Sequence, residues 1–194
     1  MKDTAIVNAT SLNLKAFKRG KSLDLSKWYM GNLTTNLAES NDTNGAFFLV
    51  EATLAPGNEP PPHVHSYEDE LFYVLQGELD VYVGQEAFKV QTGECVFLPR
   101  FVPHAFVVRS PRLQVLTLFT PGGFEGAFRG EGTAAENLDL PSNAITYSMV
   151  DLEQTARRVN AFGIRFLMPD EIAEQLRLYT KPLPLVPKTN TNGS

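Results

Sequence analysis

Residues 57–70 read GNEPPPHVHSYEDE, and this stretch determines how the rest of the chain is interpreted. It holds two of the protein's three histidines, His63 and His65, which stand one residue apart ahead of an acidic cluster. The third histidine, His104, ends a second stretch, residues 93–104, which reads GECVFLPRFVPH and is punctuated by glycine and proline. No histidine is left over for the surface or the core elsewhere, and this concentration indicates a metal site.

The spacing within the first stretch suits metal binding. Residues two apart on a strand point to the same side, so His63 and His65 would present both imidazoles to one volume. Glu70 has the opposite parity to His65, so a bulge or turn through residues 66–68 is required if its carboxylate is to converge with them. Joined by the third histidine, they would make a three-histidine, one-carboxylate shell suited to a divalent transition metal with open positions. A single histidine is more often a surface or core residue, and the whole pattern argues against that reading.

Composition places the chain among ordinary globular proteins. Its 194 residues are 43% hydrophobic and 20% charged, enough for one substantial core and short for two ordinary domains. The net charge of −5 gives no electrostatic reason to expect nucleic acid or an anionic membrane surface as a partner. No apolar run is long enough for a transmembrane helix, and the first residues do not resemble a secretion signal. Together with a single cysteine, Cys95, this predicts a cytoplasmic protein.

Hydrophobic patterning predicts an all-β fold with a helical end. About eight short apolar segments, of which residues 46–54 are the clearest, are separated by turn signals, as in β-sandwiches and barrels. The character changes after the sequence TPGG at residues 120–123. A capping-box pattern predicts a helical turn at 133–137, and apolar periodicity predicts helices at 151–159 and 170–179.

We expect one domain over residues 1–194. Its barrel core would occupy about residues 28–120, with additional strands contributed by the N-terminal part. A short helical extension would cover about residues 121–185, and the polar residues 186–194 are expected to form a flexible tail.

The two histidine-containing stretches resemble the paired motifs of the cupin superfamily. The first motif is present at the family's spacing, carried by Gly57, His63, His65, Glu70 and Gly77. The second motif is present in part, carried by Gly93, Pro99 and His104. Phe101 stands where the family has glycine, and Val108 where it has asparagine. The first departure implies a differently shaped turn and the second removes a polar group near the site.

This resemblance covers about residues 45–120 and implies a double-stranded β-helix, the cupin jelly roll. It implies one bound divalent transition metal ion: Fe, Mn, Ni or Co, with Zn and Cu as alternatives. The metal ligands implied by the resemblance are His63, His65, Glu70 and His104.

The segment after the barrel is similar to that of the single-cupin quercetin 2,3-dioxygenases of bacteria. The matching parts are PGGFE at 121–125, GTAAE at 132–136 and LP at 140–141. The resemblance implies a metal-dependent dioxygenase that cleaves or oxidises a flavonol or a similar enol or aromatic substrate with O2. Glu70 would be the catalytic residue, acting as metal ligand and as the base that takes a hydroxyl proton from the substrate.

Parity and nearness in the fold predict an apolar substrate pocket beside the metal, although each of these side chains taken singly is more often ordinary barrel core. Such a pocket suits a flat aromatic or other hydrophobic substrate. The predicted pocket residues are Phe48, Tyr67, Phe72, Val74, Phe97, Phe101, Phe106 and Val108.

The opposite face of the strand that begins at Glu70 is also apolar, since it carries Leu71, Tyr73 and Leu75. Something must cover that face, either the C-terminal helices or a second subunit, and we expect a homodimer. Cys95 is predicted to be a small buried residue of a neighbouring strand.

Two alternatives to a dioxygenase remain. The protein could be a non-catalytic cupin that binds a small apolar ligand at the metal site, or a sugar isomerase or epimerase. The second is disfavoured because no basic cluster stands beside the motifs to hold a phosphate. Glu68 and Asp69 are interpreted as solvated loop acids in preference to groups that support the metal ligands.

Overall fold

The structure is a computed structural model that describes residues 14–143, 146–147, 150 and 152–181. Within these ranges the chain forms two antiparallel sheets with few helices, which confirms the predicted all-β jelly roll. The predicted tail at 186–194 lies outside the described residues. Among those described, no helix is both long and apolar enough to cross a membrane.

Twelve strands and three short helices follow one another along the described residues. The strands are β1 (Ser26–Tyr29), β2 (Asn32–Ala38), β3 (Phe48–Leu54), β4 (His63–His65), β5 (Asp69–Gln76), β6 (Glu78–Val83), β7 (Glu86–Gln91), β8 (Cys95–Leu98), β9 (His104–Val108), β10 (Leu113–Thr120), β11 (Thr133–Ala134) and β12 (Ile164–Phe166). The helices are α1 (Ser40–Thr43), α2 (Leu152–Asn160) and α3 (Pro169–Gln175), with 3-10 turns at Leu23–Leu25 and Phe124–Phe128.

The two sheets face each other across the core. The large sheet has the order β11-β1-β2-β3-β10-β5-β8, and the small sheet has the order β12-β4-β9-β6-β7. Alternating burial along β10, where Leu113, Val115, Thr117 and Phe119 are buried, shows which face of the large sheet points inward. The chain passes between the sheets several times, and the pass from β4 to β5 is the one that builds the site described below.

Two apolar clusters fill the interior, and they are called the lower and the upper cluster below. The lower cluster comprises Leu54, Phe72, Val74, Leu79, Val81, Val83, Val90, Val96, Leu98, Phe106, Val108, Leu113 and Val115. The upper cluster comprises Phe48, Val50, Phe119, Phe124, Ala127, Val159 and Ile164. Residues from α2 and β12 belong to the upper cluster, so the C-terminal extension closes that end of the barrel. The extension is therefore part of the core and does not merely lie against it.

The predicted C-terminal elements are partly correct. The helix expected at 151–159 is α2, and the helix expected at 170–179 ends earlier, since α3 stops at Gln175. The helical turn expected at 133–137 is wrong, because residues 133–134 form a strand that pairs with the edge strand β1. The unpaired backbone groups of that edge offer hydrogen bonds that a single helical turn does not.

The outer faces of the two sheets are covered differently. Helix α3 packs Ile172 against the outer face of the small sheet, together with Leu167 and Leu176. On the outer face of the large sheet Tyr73 remains 41% exposed and Leu75 37% exposed. Cys95, which was expected to be buried, is exposed on the same face, because Val96 and Leu98 take the inward positions of β8.

Candidate metal centre

The four predicted ligands come from three strands on both sheets. On β4, His63 and His65 project to the same side, and His63 pairs directly with His104 on the antiparallel neighbour β9. Bends at residues 66–67 then carry the chain out of the small sheet and into β5 of the large sheet. Glu70 therefore reaches the histidines from the opposite sheet. These bends are the break in the strand that the parity of Glu70 relative to His65 required.

The ligand atoms of these four side chains lie within 4.8 Å of one another. His63 Nε2 is 3.1 Å from His104 Nε2. Glu70 Oε2 is 3.3 Å from His104 Nε2 and 3.7 Å from His65 Nε2. All four residues are buried, with His65 and His104 only 1% exposed. These four described residues therefore form a group that is able to hold a metal ion.

Backbone contacts fix the tautomers of two of the imidazoles. His63 Nδ1 lies 2.9 Å from the Pro61 carbonyl oxygen, and His104 Nδ1 lies 3.1 Å from the Val102 carbonyl oxygen. A carbonyl oxygen only accepts hydrogen bonds, so in both rings Nδ1 carries the proton and Nε2 presents a lone pair when the ring is neutral. Two lone pairs would then face each other across 3.1 Å. A cation bound to both nitrogens resolves this arrangement.

Electrostatics at the cluster favour the same conclusion. Burial, and then the neighbouring His104 and His65, hold the pKa of His63 well below its usual value, so a second proton does not resolve the contact. Glu70 Oε2 is buried and has no hydrogen-bond partner. Such an oxygen is costly to leave unpaired in a protein interior. Imidazole nitrogens and a carboxylate together suit a divalent transition metal, so the residues present fit the metal ion that the sequence predicted.

Glu68 is not a solvated loop acid. Its side chain is buried, and its Oε2 lies 3.4 Å from His65 Nδ1, at hydrogen-bonding distance. Asp69 instead turns outward and forms a bidentate pair with Arg100, which holds the pKa of the Asp69 carboxyl below its usual range. Adjacent acids thus have different tasks, because successive side chains of an extended segment point to opposite sides.

A cavity of about 140 Å³ adjoins the cluster, and His63, His65 and Glu70 contribute to its wall. Of the predicted pocket residues, Phe72 and Phe106 line it. Phe48, Val74 and Val108 are buried within the two apolar clusters and do not reach its surface.

The other three predicted pocket residues point away from the cavity. Tyr67 is 58% exposed and its ring lies against Gly163. Phe97 is 54% exposed, because the alternation along β8 places its neighbours inside. Phe101 is 69% exposed and occupies the left-handed region, with φ of 65°, in the turn before β9. This residue replaces the glycine of the family pattern, and the turn keeps a backbone conformation that favours glycine.

The sequence patterns missed the contribution of the C-terminal extension to the cavity wall. Residues that line the cavity from beyond the predicted barrel are Phe124, Phe128, Tyr147, Val159 and Ile164. Ile164 is placed there because β12 pairs with β4, opposite His65. The similarity at residues 121–125 includes Phe124 but did not assign it to the pocket, and no local pattern predicts that β12 joins the histidine strand.

Comparison with known proteins places the fold and the cluster in a family. The cupin domain family matches residues 50–120, which include all four residues of the cluster. The quercetin 2,3-dioxygenase of Bacillus subtilis is 22% identical over 69% of this chain and 39% of its own length. The quercetin 2,3-dioxygenase of Aspergillus japonicus is 29% identical over 48% of this chain and 29% of its own length. The chain therefore spans well under half of these two relatives.

Two further matches concern shorter proteins. An uncharacterised protein of Streptomyces coelicolor is 33% identical over 44% of this chain and 75% of its own length. The solved structure of an RmlC-like cupin from Shewanella frigidimarina is 20% identical, covers 58% of this chain and 93% of that protein, and has a TM-score of 0.45. Residues 50–120 belong to the cupin domain family, and their histidine–glutamate cluster resembles a cupin metal site.

Proposed function

We propose that this protein is a metal-dependent dioxygenase of the quercetinase-like type, acting on an enol or related aromatic substrate with O2. The observation that carries the proposal is a buried three-histidine, one-glutamate cluster that opens onto an apolar cavity. The two quercetin 2,3-dioxygenases among the relatives support this reaction class. The proposed metal ligands are His63, His65, Glu70 and His104.

Within this proposal the chain's own residues bind and deprotonate the substrate. A bound divalent ion would supply Lewis acidity and favour the deprotonated enol. Glu70 belongs both to the cluster and to the cavity wall, so its Oε1 is proposed to take the enol proton while Oε2 faces the histidines. Phe72, Phe106 and Phe119 surround the reacting enolate with apolar surface that excludes water.

The test is turnover by protein loaded separately with Fe, Mn, Co or Ni. We expect O2 uptake that matches the loss of enol absorbance in at least one metal form, and we expect Glu70→Gln to abolish it. The Glu125→Gln variant is the matched control, because Glu125 is another buried carboxylate, which accepts hydrogen bonds from the backbone amides of Ser40 and Gly123. Stoichiometric metal binding without turnover of any enol would reject the oxygenase and favour a non-catalytic binding protein.

We also propose that the outer face of the large sheet, part of which the described residues leave exposed, pairs with a second copy of the chain. Tyr73 and Leu75 of β5 and Phe97 of β8 leave an apolar surface there. Mass determination in solution by light scattering should give a dimer, and Tyr73→Glu combined with Phe97→Glu should give a monomer. Leu178→Glu, at an exposed position in the C-terminal part of the chain, should remain dimeric. A monomeric unmodified protein would contradict this proposal.

A further inference from the structure

The cavity beside the cluster is small for a flavonol. Its volume is about 140 Å³, whereas pockets for drug-sized ligands usually have roughly 300–1,000 Å³. One atom of the size of a water molecule needs on the order of 10–15 Å³ of cavity volume, so this cavity has room for roughly ten non-hydrogen atoms. That is the size of a single ring with a few substituents, and a three-ring molecule exceeds it.

The lower wall of the cavity is firmly packed. Phe72 and Phe106 meet edge to face, with their ring centroids 5.4 Å apart, and both belong to the lower apolar cluster. Both rings are buried, and they follow ligands by two residues on their strands, Glu70 on β5 and His104 on β9. Enlarging the cavity at this wall would therefore displace side chains that stand next to the metal ligands.

The upper wall is equally constrained. Phe119 and Phe124 have ring centroids 4.4 Å apart, and Phe124 packs edge to face against His65 at 5.2 Å. Val159 of α2 and Ile164 of β12 complete this side. The C-terminal extension thus limits how far a ligand can project from the cluster, and this limit comes from a part of the chain outside the matched cupin domain at residues 50–120.

The chemistry of the cavity walls indicates which polar and apolar groups a ligand would carry. The cluster supplies His63, His65 and Glu70 to the lining, and Phe, Val and Leu side chains make up most of the two walls. Further polar groups line the cavity at Tyr29, Asn32, Thr34, Asn36, Thr117 and Tyr147. We propose that the cavity selects a single-ring enol that carries two adjacent oxygens at one edge, and that it excludes flavonols. The reaction class rests on the proposed function, whereas the size limit rests on the cavity alone. Phe72 and Phe106 set this limit at the lower wall.

Three probes with the same chelating group and increasing size test the proposal: 3-hydroxy-4-pyrone with one ring, 3-hydroxychromone with two and 3-hydroxyflavone with three. Binding is measured without O2 on Co(II)-loaded protein, from the change in the visible bands of the metal. We expect the one-ring probe to bind roughly 10–200-fold more tightly than the three-ring probe, the range by which an apolar pocket discriminates sizes. Equal affinities, tighter binding of 3-hydroxyflavone, or no binding of any probe would overturn the proposal.

Two substitutions assign the selectivity to the lower wall. Phe72→Leu and Phe106→Leu each shorten a wall residue while keeping it apolar. Each should reduce the difference in affinity between the one-ring and three-ring probes, because the larger probe then binds more tightly. Leu176→Ala is the control, since Leu176 is fully buried on the outer side of the small sheet and does not line the cavity. If Leu176→Ala narrows the difference as much as Phe106→Leu does, the wall does not set the limit.

The binding series separates this inference from the oxygenase proposal. Size-ordered binding without any O2 uptake would retain the cavity selectivity and reject the reaction. O2-dependent turnover of 3-hydroxyflavone at the rate of 3-hydroxy-4-pyrone would retain the reaction and reject the selectivity.

Discussion

Each imidazole of the cluster is oriented through its Nδ1 atom, but the three partners differ. His63 and His104 each have a backbone carbonyl oxygen as partner, whereas His65 has the buried carboxylate of Glu68. A carboxylate partner makes the imidazole a stronger donor to a metal than a carbonyl does, and it fixes the ring. The side chain of Glu68 is therefore placed to support His65.

Glu68→Gln should weaken metal binding about 10–100-fold, the usual effect of removing such a support. The substitution keeps the volume of the side chain and an oxygen that can accept, so the change reports the loss of charge. Competition with a coloured chelator measures the affinity for the metal. Glu125→Gln is the control, because it neutralises a different buried carboxylate, one that accepts hydrogen bonds from backbone amides. Equal losses in the two variants would mean that Glu68 contributes only to folding.

His63 also makes the metal-free protein sensitive to acid. Its pKa in the folded protein lies well below 6.5 because of burial and the two neighbouring histidines, whereas in the unfolded chain it lies near 6.5. Between these values the unfolded state binds the extra proton, so stability present above pH 6.5 is lost as the pH falls towards the folded pKa. From pH 7.5 to 5.5 the free energy of unfolding should therefore fall, by at most about 1.4 kcal/mol from this one group.

Urea unfolding of the metal-free protein at the two pH values measures this effect. His63→Asn cannot take up the proton, so its stability should depend less on pH over the same interval. An equally steep dependence in the variant would assign the acid sensitivity to other groups.

At the scale of elements, the loop ahead of β4 is anchored by a buried acid. Glu59 accepts hydrogen bonds from the backbone amides of Gly57, at 3.0 Å, and Val108, at 2.7 Å, and it forms an ion pair with Lys181. The carboxylate is 1% exposed, whereas the lysine is 31% exposed. Through this one side chain, the proline-rich segment that precedes the histidine strand is held to the end of β9 and to the C-terminal part of the chain.

Lys181→Met should lower the free energy of unfolding by about 1–3 kcal/mol, because it leaves a buried carboxylate without its counter-ion while the two amide bonds remain. Chemical denaturation measures the change. Arg157→Met is the control, since Arg157 pairs with Glu153 on the surface of α2, where such pairs contribute about 0–1 kcal/mol. Adding Glu59→Gln to Lys181→Met should recover part of the loss, and a loss that grows further would contradict this account.

The elements also show which inferences from sequence succeed. Alternation of apolar residues predicted most strands of the barrel, and the spacing around His63 predicted the residues that converge. Nearness in the fold, on which Phe97 and Phe101 were assigned to the pocket, failed for both residues, since nearness does not determine on which side of the backbone a side chain lies. Phe101 lies in a turn, and nothing in the sequence tied the side of β8 on which Phe97 stands to that of the ligands.

Contacts between distant parts of the chain could not be predicted. The pairing of β12 with β4 joins residues that are about a hundred positions apart, and local periodicity carries no information about such a pairing. The same holds for β11, whose short segment gains its partner only when β1 presents an edge. These two pairings determine where the C-terminal extension lies and hence the shape of the cavity.

For the molecule as a whole, the cupin fold brings two sheets together around one polar cluster in an apolar interior. The small sheet supplies three imidazoles and the large sheet supplies one carboxylate, so the cluster exists only when both sheets have formed. Binding of a metal ion at this cluster would therefore be coupled to the folded state, and the bound ion should stabilise the protein against unfolding.

The metal content of the purified protein tests the central claim most directly. After loading with a divalent transition metal and removal of the excess, elemental analysis should find about one ion per chain in the unmodified protein and in Glu125→Gln. His63→Ala and His104→Ala should each lose it, with circular dichroism showing that both variants still fold. An unmodified protein that stays metal-free, or a His63→Ala variant that retains the full metal content, would contradict the account.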